Sequence, residues 1–184
     1  MLPARTYAEA PEAVAYRDLY AAAPLSALAR SRMRAQLSHR RRSWRRYMRS
    51  APEVPTFVTA YDVAIGRPEH ADEVGFLLAA GFELTAATEA AFRALVGRPG
   101  WACHVALSGG EPVAAGMMRM EAGVAWLGLA ATRPDRRGFG AHSALIATRM
   151  SAASHAGCHT IVTEAPDSCA RRLARAGFAP VPSG

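Results

Sequence analysis

The sequence predicts an α+β domain. A mixed central sheet, made of an antiparallel meander plus one parallel pair, is flanked by helices and preceded by an Arg-rich helical extension. Three observations predict it. First, three apolar segments at 101–107, 112–120 and 124–131 are joined by the tight turns Ser108-Gly-Gly-Glu111 and Glu121-Ala-Gly123, which pair consecutive strands antiparallel. Second, the third segment leads through a long helical stretch to another short apolar run, so those two strands lie parallel. Third, the texture changes at Ala51-Pro-Glu-Val-Pro55, where two prolines break a helix and favour extended backbone. The chain therefore divides into an extension at 1–50 and a domain at 56–184.

The elements follow in order. Residues 8–23 are Ala-rich and read as a helix. Met33, Leu37, Trp44 and Met48 are spaced 4, 7 and 4, one helical stripe across 26–49 that Tyr47 joins. That stripe needs a surface, either the domain itself or a second copy of the chain. Residues 57–65 read as a strand and 68–80 as a helix, with Pro68 in its first turn, Glu69, Asp72 and Glu73 near its positive end, and Gly81 as its stop. A second helix spans 85–96. After the three-strand meander come a Gly- and Arg-rich loop at 134–140, a helix at 141–156, a short strand at 160–163, a helix at 168–176 and the start of one more strand at 178–181. The segment 124–131 is apolar throughout and is expected to be buried on both faces. Met117 and Met118 point to opposite sides of a strand, so they and Trp126 are expected in the core.

The chain has 184 residues, 51% of them apolar, enough for one ordinary domain with an appendage. Its 15 Gly, 12 Pro and 3 Cys exclude collagen-like, disordered and disulfide-scaffold classes. No run reaches the length of a transmembrane span, and the first ten residues lack a secretory pattern. Cys103, Cys158 and Cys169 are odd in number and lack close C-x-x-C spacing. A reducing cytoplasm and no zinc site are the expectation. The net charge is +7, but nine Arg between Arg30 and Arg49 account for it, with no acid among them. The remainder holds 13 Arg against 15 Asp and Glu. All basic residues are Arg, which fits a GC-rich genome better than selection for anion binding.

The segment richest in chemistry is Leu129-Ala-Ala-Thr-Arg-Pro-Asp-Arg-Arg-Gly-Phe-Gly-Ala-His-Ser-Ala-Leu145. A buried strand runs into a basic glycine loop and then a helix. Helix starts leave free N–H groups and a positive dipole end, and glycines admit close approach, which together cradle phosphate. No Lys-Ser/Thr follows the glycines and the spacing is not G-x-G-x-x-G, so neither a Walker loop nor a dinucleotide fingerprint fits. A plain strand-to-helix turn that needs two glycines is the simpler alternative.

Arg137-Gly-Phe-Gly140-Ala-His142 resembles motif A of the GNAT superfamily of acyl-CoA-dependent N-acetyltransferases, and Leu-Ala-Arg-Ala-Gly-Phe178 resembles the family's habitual end of its last helix. The resemblance covers roughly residues 57–180. It departs at His142, where small residues are usual. It implies that the strand before motif A splays from its parallel neighbour and that acetyl-CoA is the cosubstrate, without a metal. The backbone of Leu129, Ala130 and Ala131 would pair with the pantetheine arm. The N–H groups of Arg137, Gly138, Phe139, Gly140, Ala141, His142 and Ser143 would hold the pyrophosphate. The family's usual Tyr acid falls on Leu173, which puts a dedicated side-chain acid in doubt.

The base candidate is Glu164, at the end of the strand beside the expected splay, where burial raises a carboxylate pKa; a helix cap or an Arg pair is its other reading. Ser168 is the companion candidate, as proton donor or N-cap. Cys169 has no base partner in the sequence to make it a nucleophile. His104 faces either a cleft or solvent, and His155 and His159 read as surface residues. The function implied is acetyl transfer to a primary amine on a small molecule, peptide or protein by direct transfer. Two alternatives stand beside it: a GNAT-like CoA-binding module with impaired chemistry, and an acetyltransferase of RNA-borne amines reached through Arg30–Arg49, since phosphate neutralisation gives affinity without a sequence code. A homodimer and an anionic partner, RNA or an acidic surface, are the expected associations. The family's last strand is missing from the sequence pattern. A partner subunit or the N-terminal segment supplies it, or it is absent.

Overall fold

The computed structural model describes residues 10–23, 25–51 and 61–182. Two helices, α1 (Pro11–Ala21) and α2 (Ala27–Arg41), lead into β1 (Trp44–Ser50). Then follow β2 (Asp62–Ile65), α3 (Ala71–Gly81), the short α4 (Glu89–Arg93), β3 (Trp101–Ser108), β4 (Glu111–Glu121), β5 (Val124–Thr132), α5 (Ala141–His155), β6 (Thr160–Pro166), α6 (Ala170–Arg175) and β7 (Ala179–Pro180). From β2 onward this is the order that the apolar runs and turns predict. Single 3-10 turns precede α3, α4, α5 and α6. Residues 52–60, which hold the expected linker and the start of the expected strand at 57–65, lie outside the described residues. No described helix is long and apolar enough to cross a membrane.

The strands form one sheet in the order β2-β3-β4-β5-β6-β1-β7. All neighbours are antiparallel except β5 and β6. Here the extension departs from its expected form. The helix stops at Arg41, and Trp44–Ser50 is a strand inserted between β6 and β7, paired with β6 over its whole length from Trp44↔Pro166 to Ser50↔Thr160. The stripe is thus split: Met33 and Leu37 lie on α2, Trp44 and Met48 on β1. The physical reason is the edge that β6 would otherwise expose. The C-terminal β7 is two residues long and cannot cover it, and an unpaired row of N–H and C=O groups is costly to leave open. The N-terminal segment is the source of the additional strand.

Each sheet face carries its own core. Leu19, Met33, Leu37, Leu78 and Phe92 from α1 to α4 pack on Val105, Met117, Trp126 and Val162. On the other face Ile146, Met150 and Leu173 from α5 and α6 pack on Tyr47, Met118, Leu127 and Ile161. Residues before Ala51 therefore enter both cores. Asp18 of α1 ties the first helix to the sheet, accepting from Trp101 Nε1 at 3.3 Å and from Arg119 Nε at 2.9 Å.

Truncation tests this integration. A chain beginning at Thr56 would uncover β6 and unroof Trp126, which is 1% exposed. It is expected to lose near-ultraviolet circular dichroism and a cooperative melt. A sharp transition in the truncated chain would show that 1–50 is a separable appendage after all. Within the full chain, Leu37→Ala is expected to cost about 2–5 kcal/mol in denaturant unfolding.

Candidate active site in the gap between two parallel strands

The site begins with a backbone irregularity. β5 pairs with β4 in regular register until Met117↔Gly128, and resumes one residue out of step at Gly116↔Ala130. Leu129 is the extra residue and sits at φ +46, a left-handed conformation that costs a branched side chain about 1–3 kcal/mol. On its other side β5 pairs with β6 only from Val124↔Thr160 to Leu127↔Thr163. The last rung is reinforced by Thr163 Oγ1 donating to the Leu127 carbonyl at 2.6 Å. Both strands continue past this rung without pairing to each other, β5 to Thr132 and β6 to Pro166. A β-bulge bends and twists its strand, and here the strands part where the bulge begins.

Arg149 holds the bulge. It is fully buried on α5, and its guanidinium donates to the carbonyls of Leu145 at 3.0 Å, Met117 at 2.9 Å and Gly128 at 3.3 Å. Among the described residues no carboxylate pairs with it. Burial draws its pKa down to about 10, which leaves it charged at neutral pH. A Cβ on Gly116 would lie 2.9 Å from the guanidinium carbon, so this glycine makes the room that Arg149 occupies. His104 is neither in the cleft nor at the surface but 2% exposed. Burial, and then the charge of Arg149, hold its pKa down to about 4, so it is neutral.

The parted strands open a cleft enclosing about 930 Å3 of empty space, part of it open to solvent. Leu129, Ala130, Glu164, Ala165, Arg149 and Leu173 are among its walls, and Arg40, Trp44 and Phe82 stand at the end nearest the N-terminal segment. A second cavity adjoins it, sharing Ala130, His142, Cys169 and Arg172 as walls. It is lined by Ala131, Arg136, Arg137, Gly138, Gly140, Ala141 and Ser143. Gly138 and Gly140 have φ of +86 and +94, and a Cβ on either would project into open space. Glycine is there for its backbone angle, which aims the loop at the start of α5. The first N–H groups of α5 have no partner within the helix. Arg136 Nε makes no hydrogen bond and lies 3.6 Å from Asp135 Oδ2. Free N–H groups, a helix dipole and three Arg give this cavity the chemistry to hold a polyanion.

The sequence-derived candidates distribute unevenly. Leu129, Ala130, Ala131, Arg137, Gly138, Gly140, Ala141, His142 and Ser143 line one cavity or the other. Phe139 lines neither, and its side chain is exposed. His142 stands where the two cavities meet. Burial, with the charges of Arg149 and Arg172, brings its pKa down to about 3, so the ring is neutral at neutral pH. Glu164 is in the cleft wall. Ser168 is not: it is exposed on the 3-10 turn Asp167–Cys169, lines neither cavity, and does not cap α6. The helix begins at Ala170, so the residue turned to the cleft is Cys169. Leu173, in the place of the resemblance's Tyr, is a buried apolar wall.

Sequence reasoning missed Arg136, Arg172 and Arg149. Arg149 carried a usable signal: it is the lone Asp, Glu, Lys or Arg in the fifteen residues of α5, a pattern that marks a cation committed to a partner inside.

Glu164 is tied to the extension. Arg41, the last residue of α2, approaches its Oε2 with Nε at 2.9 Å and a terminal nitrogen at 2.7 Å. Burial, the largest influence, raises the Glu164 pKa, as does Glu12; Arg41 and Arg46 oppose the rise.

Replacing Arg149 by Met keeps the volume and removes the donors. About 1–3 kcal/mol is expected for each carbonyl left unpaired, read as a lower denaturant midpoint. An unchanged midpoint would show that the bulge stands without it.

The comparisons with known proteins agree with this architecture. A family model described as Acetyltransferase (GNAT) family matches residues 71–178, more than half of the chain. No curated protein matches the sequence. Among solved structures, a GCN5-related N-acetyltransferase from Kribbella flavida superposes with a TM-score of 0.57 at 17% identity, covering 74% of this chain and 53% of that one. This chain thus spans about half the length of that relative. An aminoglycoside N-acetyltransferase in complex with CoA matches at 0.57 and 15%, over 71% of this chain and 95% of that one. A ribosomal-protein-alanine N-acetyltransferase from Brucella melitensis matches at 0.56 and 21%, over 68% and 96%. At these identities the structural likeness is one of fold. With the family model over the meander, the bulge, the glycine loop and α5, the chain belongs to the GNAT family of acetyltransferases.

Proposed function

We propose that this protein transfers an acetyl group from acetyl-CoA to a primary amine by direct attack. The observation that carries the reading is the parting of β5 from β6 at a bulge, continuous with a glycine loop and a helix start. That geometry fits a long thioester with a phosphate-bearing end. The unpaired backbone edge of β5 past Leu127 suits a pantetheine arm added like a strand. The Arg136 and Arg137 side chains and the open cradle at Gly138 and Gly140 suit the pyrophosphate. The aminoglycoside enzyme of like fold is described in complex with CoA.

Acetyl-CoA supplies an activated acyl group with a thiolate as leaving group. The chain's residues do the rest. The cleft excludes water along Leu129, Leu173 and Phe178 and aligns the acyl carbon for an incoming amine. Glu164, ionised, takes the proton that the amine nitrogen loses as the N–C bond forms and the C–S bond breaks. No side chain at Leu173 can protonate the departing sulfur, which leaves as thiolate. A Glu base is active only when ionised, so its raised pKa predicts that kcat/KM falls as pH drops through it. Glu164→Gln is expected to remove that acid limb and lower kcat by about 10²–10⁴-fold.

Binding is tested first. CoA at about 100 times its dissociation constant should add roughly 2.7 kcal/mol of stability, visible as a raised Tm. Gly140→Val forces a β-branched residue to φ +94 and is expected to abolish the shift. No rise in Tm at millimolar CoA, with the protein folded, would overturn the reading. CoA binding without acetylation across a broad panel of amines would instead favour a binding module.

A further inference from the structure

The Arg-rich segment has a use at the site that neither its charge nor the family match assigns. Arg41 closes α2, and its guanidinium carbon lies 3.9 Å from the centre of the Tyr16 ring on α1. That stacking fixes the plane of the fork. Tyr16 itself is 3% exposed and locked edge-on against Trp126, ring centres 5.6 Å apart. From this mount Arg41 presents Nε and a terminal nitrogen to a single oxygen of Glu164, at 2.9 and 2.7 Å. The pair is half-sheltered, with side-chain exposures of 24% and 16%.

Concentrating both donors on Oε2 has a chemical consequence. Oε2 is occupied and charge-stabilised, while Oε1 remains to accept a proton. A carboxylate held in this way is both aimed and kept ionised, which an amine-deprotonating base requires. We infer that Arg41, stacked on Tyr16, is the positioning residue that aims and ionises Glu164, so that the N-terminal segment completes the reaction centre. This inference rests on Glu164 being the base.

The other charged groups around Glu164 are consistent with that division of labour. Arg46 on β1 faces Glu164 across the strand pair, but its guanidinium is engaged by Glu12 of α1. Arg45 pairs with Asp167 beyond the end of β6. Burial and Glu12 favour the protonated form of Glu164; Arg41 and, more weakly, Arg46 favour the ionised one. Of these, Arg41 alone touches the carboxylate. Without it burial prevails, the pKa climbs further, and less of the base is ionised at neutral pH.

The test reads the carboxyl directly. Carbon-13 NMR of side-chain-labelled glutamate in the full chain, with Glu164 assigned through Glu164→Gln, gives its titration midpoint. Arg41→Met is expected to raise that midpoint by about 1–3 pH units. Arg41→Lys, which keeps the charge but loses the fork, should restore part of it. Tyr16→Leu, with Arg41 retained, should shift it in the same direction by less and covers the case in which Arg41→Met does not fold. An unchanged midpoint in folded Arg41→Met and Tyr16→Leu would overturn the inference and leave Glu164 free to be the base. The second reading is the pH dependence of kcat/KM for an amine found by panel screening with acetyl-CoA. Its acid limb should move upward with the NMR midpoint. A midpoint that moves while the limb stays would overturn Glu164 as the base, and the inference with it.

Discussion

The site depends on one buried cation. Arg149 enters the sheet from α5 with no carboxylate among the described residues to meet it, and spends its donors on carbonyls at the bulge. An uncompensated charge in the interior is expensive unless its hydrogen bonds are satisfied. Its surroundings are accordingly arranged around it: Gly116 gives up its side chain, His104 stays neutral, and the carbonyls of Met117 and Gly128 turn toward it. The Leu129 backbone is strained at the same point. A relaxed β5 would continue its ladder with β6 and close the cleft. Strain and buried charge thus meet at the point where the gap begins.

The extension obeys a second constraint. Read along the chain, nine Arg without an acid look like a polyanion-binding arm. Folded, several meet acids from distant parts of the sequence: Arg40 with Glu83, Arg41 with Glu164, Arg45 with Asp167, Arg46 with Glu12. Arg49 is buried and donates to the carbonyls of Ser50 and Ala176. Arg34 and Arg41 stack on Tyr20 and Tyr16. The exposed pairs with Glu83 and Asp167 contribute at most about 1 kcal/mol each. Those with Glu12 and Glu164 differ in kind, because losing one partner strands a sheltered charge. Much of the run makes sheet-edge and helix-end contacts whose partners sequence proximity cannot reveal.

That contrast explains what was legible. The meander, the crossover helix and the glycine loop announce themselves through local rules: turn residues, a switch from period 2 to 3.6, and glycines before a helix start. β1 did not, for an identifiable reason. Its inward positions are Tyr47 and Arg49, and an Arg on the buried face hides the period-2 pattern. Trp44 and Met48 happen to be four apart, which imitates a helix, while the reason for a strand lies in the open edge of β6, more than a hundred residues away. Ser168 lies outside both cavities for a smaller reason. A 3-10 turn delays α6 until Ala170, and a shift of one residue turns Cys169 toward the cleft and Ser168 out. The place of Glu164 in the cleft wall was legible because a strand end beside a splay is a position that topology alone can specify, whereas its partner Arg41 required the fold.

The two ends of the cleft consequently have different origins. The anion end is built by β5, the loop and α5, all within the family match at 71–178, and its recognition elements are largely backbone: helix N–H groups, an unpaired strand edge, glycine geometry. Such elements would suit any molecule carrying the phosphate and pantetheine groups of the proposed donor. The first cavity is also walled by Arg40, Trp44 and Phe82, and Arg41 pairs with Glu164 in its wall. Three of those four residues ahead of Glu164 precede the family match. If Glu164 is the base, as proposed, an amine meets side chains of this chain's own extension beside it. On the proposed reading, selection among amines would fall to α2 and β1, which lie ahead of the matched region.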